Sequence, residues 1–127
     1  MAMYDISKEV ELERLMKEND VIVLDFWAPW CTPCKAFAEV LESVSERFPH
    51  VAFSRVNTNE EEELSPPFDV STIPMLVVIR DRVMVASQQG YLEESKLQEL
   101  LRQVEELDME SVRAGAENQV VEEGSDR

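Results

Sequence analysis

The chain has 127 residues, 44% hydrophobic and 31% charged, with a formal net charge of −15 from 27 acidic and 12 basic side chains. That length and balance fit one soluble globular domain around a single core. So negative a surface repels phosphate backbones and anionic lipid, and no run approaches the roughly 18 apolar residues of a membrane span, so neither nucleic acid nor membrane is an expected partner.

The start, MAMYDISKEVELER, lacks a basic stretch followed by an apolar one, so it does not read as a secretory signal and a cytoplasmic protein is expected. Asp5 to Asn19 reads as a short helix with Ser7 as its cap and Val10, Leu12, Leu15 and Met16 on one side; any strand before it must be very short. Val21 to Phe26 is an apolar, β-branched run, the pattern of a buried central strand, and Pro29 ends it. From about Thr32 to Phe48, the apolar positions Phe37, Val40, Leu41, Val44 and Phe48 recur at helical spacing, and Pro49 closes the segment. Val51 to Val56 is the next strand. In NTNEEEELSPP, Asn59 is a candidate cap for a short acidic helix that cannot pass Pro66 and Pro67.

Met75 to Ile79 and Val83 to Ser87 read as two strands joined by a tight turn at Arg80-Asp81-Arg82. A last helix carries Leu97, Leu100, Leu101, Val104 and Leu107 on one face. After about Met109 the pattern dissolves into a frayed, acidic tail: residues 105 to 127 hold eight acidic side chains against Arg113 and Arg127. Helices alternating with strands, then a hairpin and a final helix, predict an α/β fold with a mixed central β-sheet flanked by helices.

The only two cysteines, Cys31 and Cys34, sit where the central strand meets the long helix. A closed zinc site needs four ligands, and the one histidine, His50, lies at the far end of that helix. A purely structural disulfide across so small a loop removes little chain entropy. The context favours redox exchange. Free N–H groups and the dipole of a helix N-terminus stabilise a thiolate at Cys31, the exposed first position, while Cys34 lies shielded one turn inside; Pro33 suits that first turn because its missing N–H costs nothing there.

FWAPWCTPCK resembles the active-site segment of the thioredoxin family, and the likeness extends beyond it. Asp25 falls in the place of the family's buried aspartate, Ile73-Pro74 resembles its Ile–cis-Pro pair, Phe68 to Thr72 the approach to that proline, and Gln89-Gly90 the loop glycine beside the substrate groove. The likeness covers residues 5 to about 107, implying a thioredoxin-like domain at 1–108 and a flexible acidic tail at 109–127. CxxC alone is weak; WCxPC with an upstream aspartate and a downstream Ile-Pro is strong.

The resemblance implies a protein-disulfide reductase. Cys31 would attack the target, Cys34 would resolve the mixed disulfide, and Asp25, with a raised pKa, would take the proton from Cys34 by way of water. Trp30, Thr32, Pro33, Ile73, Pro74 and Gly90 would bind substrate: Trp30 shaping the rim, Trp27 packed beneath it, and the backbone of Ile73 facing an extended segment. No cofactor is implied beyond the Cys31–Cys34 disulfide. The implied partners are disulfide-containing proteins and a reductase such as a flavoprotein thioredoxin reductase, with the chain a monomer. An interaction module or co-chaperone, using its acidic surface and tail, is the alternative.

Several positions depart from the family. Thr32 stands where glycine is usual; a stiffer turn and a hydroxyl beside the thiolate predict a somewhat higher reduction potential. Pro29 alters the rim. Arg55 replaces a common lysine and should hold the Asp25 pKa down if it reaches inward. Asp81-Arg82 lacks the customary glycine, predicting a different turn type. Lys35, basic like the family's residue after the second cysteine, would aid the thiolate.

Overall fold

The structure is a computed structural model that describes residues 3–60, 64, 68 and 70–119, with side chains to 114. Among the described residues, five strands form one mixed sheet: β1 (Met3–Asp5), β2 (Val21–Trp27), β3 (Val51–Asn57), β4 (Met75–Arg80) and β5 (Val83–Gln89), in the order β1-β3-β2-β4-β5. β1, β3 and β2 are parallel, as the helical crossovers between them require, and β4 runs antiparallel to both β2 and β5. The helices are α1 (Glu9–Glu18), α2 (Thr32–Ser45), α3 (Glu94–Glu105) and α4 (Met109–Gln119).

The period-two alternation of β2 explains the layering. Val21 and Val23 face α2 and α3, in a core with Phe37, Leu41, Val44, Leu97, Leu101 and Val104. Ile22, Leu24 and Phe26 face the other way, in a core with Leu12 and Leu15 of α1. Large side chains so covered contribute about 1.5–3 kcal/mol each. Continuing the alternation puts Asp25 on the α2 side of the sheet. Its register partner on β3 is Arg55, on the same face.

Three local expectations need correction. α1 begins at Glu9 and Ser7 is not its side-chain cap; instead, Glu11 Oε1 accepts from the backbone N–H groups of Ser7 (2.6 Å) and Lys8 (3.0 Å). The β4–β5 turn keeps the hairpin conformation that glycine favours: Asp81 and Arg82 sit at φ 51° and 69°, positive at both central positions as in a type I′ turn.

Regular structure also does not stop near Met109, since α4 follows it. Asp108 starts that helix, its carboxylate accepting from the Glu110 N–H (3.2 Å) and the Ser111 hydroxyl (3.0 Å). Met109 is buried, and Arg113 pairs with Asp81 at 3.6 Å. Arg80 Nη1 secures the junction by donating to the carbonyls of Val104, Glu105 and Leu107 at 2.7–3.2 Å. The acidic helix expected after Asn59 falls on residues outside those described, as does the chain beyond 119.

Candidate active site

The end of the sheet where β2 and β3 finish and β4 begins carries the candidate site. β2 runs into the loop Ala28 to Trp30, and the chain turns into α2 with Cys31 as N-cap and Pro33 in the first turn. Cys31 and Cys34 form a disulfide, with Cα atoms 5.2 Å apart. The Cys34 N–H points at Cys31 Sγ, 3.2 Å away. A sulfur at the N-cap therefore takes the place of the usual capping oxygen and lies in the positive end of the helix field.

Cys34 is fully buried, as expected. Cys31 is only 5% exposed, a correction to its expected open position. Its side chain folds back over the start of α2 and packs with Ala28 and Cys34, against Trp27 and Ile73. Accessibility at this end comes from the rim: Trp30 is 68% exposed, and Thr32, Pro33 and Lys35 are exposed around it. Trp30 does not stand free. Its Nε1–H donates to Asn59 Oδ1 at 3.2 Å, which ties the rim to the segment after β3.

Ile73-Pro74 is a cis peptide, as the resemblance implied, and Pro74 is buried. The Gly90 N–H donates to the Pro74 carbonyl at 2.7 Å, locking the loop after β5 to the one before β4. Gly90 has φ +89°, a conformation that favours glycine, and a Cβ placed there would meet nothing within 4 Å. Cys31, Cys34, Trp27 and Ile73 thus share one apolar cluster, with Pro74 and Gly90 joined to its Ile73 edge.

Asp25 lies fully buried behind this cluster. Burial pushes its pKa up to about 6, against the opposing pull of the Arg55 charge and hydrogen bond. Arg55 does reach inward: its Nε donates to Asp25 Oδ2 at 3.1 Å, and its guanidinium lies 4.3 Å from the centre of the Trp27 ring. Desolvation wins over the cation because the carboxylate is removed from solvent, and only one of its oxygens is bonded. Among the described residues, Asp25 Oδ1 has no hydrogen-bond partner, and neither does Trp27 Nε1. A cleft of about 510 Å³ reaches Arg55 and Trp27 between Ile6, Asn57 and Glu60.

Sequence reasoning anticipated Asp25 and Arg55 as a pair but missed the stacking of Arg55 on Trp27. The register offered a signal, because Trp27 and Arg55 occupy the same face of neighbouring strands. Asn59, the candidate cap of a helix that falls outside the described residues, accepts from Trp30, a contact the sequence pattern did not reveal. Tyr91, half-exposed beside Gly90, went unremarked. Among the described residues, no cluster of three or more His, Cys, Asp or Glu is placed to hold a metal. His50 is at the opposite end of the sheet, paired with Glu105, and both line a cleft of about 450 Å³ that includes neither cysteine, nor Asp25, Trp30, Ile73, Pro74 or Gly90. No helix among the described residues is long and apolar enough to cross a membrane.

Comparison with known proteins agrees with this geometry. The family model described as Thioredoxin matches residues 5–103. A protein described as "Putative thioredoxin 2" from Streptomyces coelicolor is 36% identical over 120 residues, covering 94% of this chain and 89% of the other. A mutant thioredoxin from Halobacterium salinarum superposes with a TM-score of 0.77 at 28% identity, over 83% of this chain and 92% of the other. Fasciola hepatica thioredoxin does so with 0.75 at 33% identity, over 80% and 98%.

Proposed function

Because this chain belongs to the thioredoxin family and is a thiol-disulfide oxidoreductase that reduces protein disulfides through Cys31 and Cys34, we propose the following division of labour among its residues. In the dithiol form, the Cys31 thiolate, held by the Cys34 N–H and the helix field, attacks a target disulfide. One target sulfur leaves as a thiol after taking a proton, and the other stays bonded to Cys31. Asp25 accepts the proton of Cys34 through water. A pKa of about 6 leaves it ionised at pH 7 yet far more basic than an ordinary aspartate. The Cys34 thiolate then attacks Cys31 Sγ, releasing the second target thiol. Two electrons have passed to the target, and the Cys31–Cys34 disulfide remains, to be reduced by an external dithiol donor such as a thioredoxin reductase.

Trp30, Thr32, Pro33, Ile73, Pro74 and Gly90 form the surface that a disulfide-bearing segment meets. The backbone of Ile73 would pair with an extended target segment there, and backbone pairing makes little demand on target sequence. The chain would act as a monomer with no cofactor besides its own disulfide, in a reducing compartment such as the cytoplasm, where the donor keeps the dithiol form supplied. The observation that carries this reading is the placement of Cys31 Sγ at the N-cap of α2, directly under the Cys34 N–H. Insulin turbidity with dithiothreitol as electron source tests it. The chain should accelerate precipitation, and Cys31→Ser should return the rate to that of dithiothreitol alone. A Cys31→Ser protein as active as the parent would contradict it and leave the co-chaperone alternative in its place.

A further inference from the structure

We propose that Tyr91 selects targets for the disulfide exchange by receiving a large apolar side chain next to the attacked cysteine. The sheet order sets up the site. Asn59 follows β3 and holds Trp30 on one side of the cysteines, whereas Tyr91 follows β5 on the other. In the strand order the ends of β2 and β4, which bring Cys31, Cys34 and Ile73 into one cluster, lie between the ends of β3 and β5.

Tyr91 is held by its neighbours on both sides. Gly90 is bonded to the Pro74 carbonyl, and Leu92 packs into the core beneath α2 and α3. The ring itself meets Phe37 edge to face, with centroids 6.1 Å apart and planes at 67°. Phe37 is fully buried one turn beyond Cys34, so the contact fixes Tyr91 alongside the helix that bears both sulfurs. The opposite part of the ring remains in solvent, the residue being 48% exposed.

A large ring left half in water, though its backbone and inner edge are fixed, loses little freedom when a partner covers it. The surroundings decide the partner's chemistry. Ile73, Trp30 and the Phe37-backed ring offer apolar surface, so the gain comes from apolar area removed from water. Backbone pairing at the cis-proline would be indifferent to target sequence, and the aromatic wall would add the preference that pairing lacks.

This inference rests on the disulfide-exchange reading, and the test separates the two. Homodimeric peptide disulfides with Phe, Gly or Lys immediately before the cysteine would be reduced in single turnovers by the pre-reduced full chain, with bis(2-hydroxyethyl) disulfide as a substrate lacking any side chain. The parent and Tyr91→Phe should reduce the Phe peptide about fivefold faster than the Gly peptide. In Tyr91→Ala that ratio should fall to near one. Equal rates for the three peptides in the parent, a preference for Lys, or a Tyr91→Ala protein that keeps the ratio or slows every substrate by one factor would overturn the proposal. Failure of the parent on bis(2-hydroxyethyl) disulfide would instead strike at the exchange chemistry itself, and the selection by Tyr91 would fall with it.

Discussion

Replacing Asp25 with asparagine should make the protein more stable and less active at neutral pH. The carboxyl is fully buried, and its pKa rises from an ordinary 3.8 to about 6. A raised pKa means that the native state binds the proton more tightly than the unfolded chain does. The contribution of Asp25 to stability is therefore greatest below pH 3.8, falls as pH rises through 3.8 to 6, and is flat above that. The gap between those values corresponds to about 3 kcal/mol at 1.36 kcal/mol per pH unit. The attraction of Arg55 is already contained in it, since the guanidinium is one of the influences that set the value of about 6. Asparagine resembles the neutral carboxyl, so Asp25→Asn should gain about 3 kcal/mol over the parent at pH 7 and almost nothing at pH 3.5. Urea unfolding of both oxidised proteins between pH 3.5 and 8 measures this difference without interference from thiol ionisation. A gap that does not change with pH, or an Asp25→Asn protein less stable than the parent at pH 7, would refute the reasoning. The same substitution removes the proposed acceptor for the Cys34 proton, so insulin reduction should slow while stability rises.

Arg55→Met removes both the charge and the hydrogen bond that hold the Asp25 pKa down, so the acidic limb of the pH–activity profile should move to higher pH; an unmoved limb would mean that Arg55 does not govern Asp25. Thr32→Gly should lower the reduction potential, measured by equilibration with glutathione, by on the order of 10–30 mV. That is the range expected from one hydrogen bond of about 0.5–1.5 kcal/mol to the reduced form. An unchanged or raised potential would show that Thr32 does not set the redox poise.

Much of this fold is legible in the residue pattern because its elements are governed by burial. The run Val21 to Phe26, apolar but for Asp25, is buried on both faces because α1 covers one and α2 with α3 covers the other. Cys31 and Cys34 are legible for a similar reason: Pro29 and Pro33 punctuate the change from strand to helix. α4 escapes notice because its start depends on one capping carboxylate, Asp108, and one buried side chain, Met109, rather than on a repeating apolar face. The Asp81-Arg82 turn misleads in the opposite way. The hairpin geometry between β4 and β5 imposes positive φ on residues that do not prefer it, and that demand comes from pairing, not local propensity.

At the site, side-chain reach is what the residue pattern hides. Arg55 and Trp27 stack because register places them on neighbouring strands, and Asn59 meets Trp30 across 29 positions of chain. Cys31 is covered for the same kind of reason, since Ile73 arrives from a distant loop to lie against it.

The most direct measurement is the ionisation of Cys31 in the reduced protein, followed by thiolate absorbance in the far ultraviolet and by the pH dependence of its alkylation. An N-cap sulfur facing a free amide should ionise well below the value of about 8.5 typical of a free cysteine. Titration at or above that value would show that the helix terminus does not activate Cys31, and the proposed order of attack would be wrong.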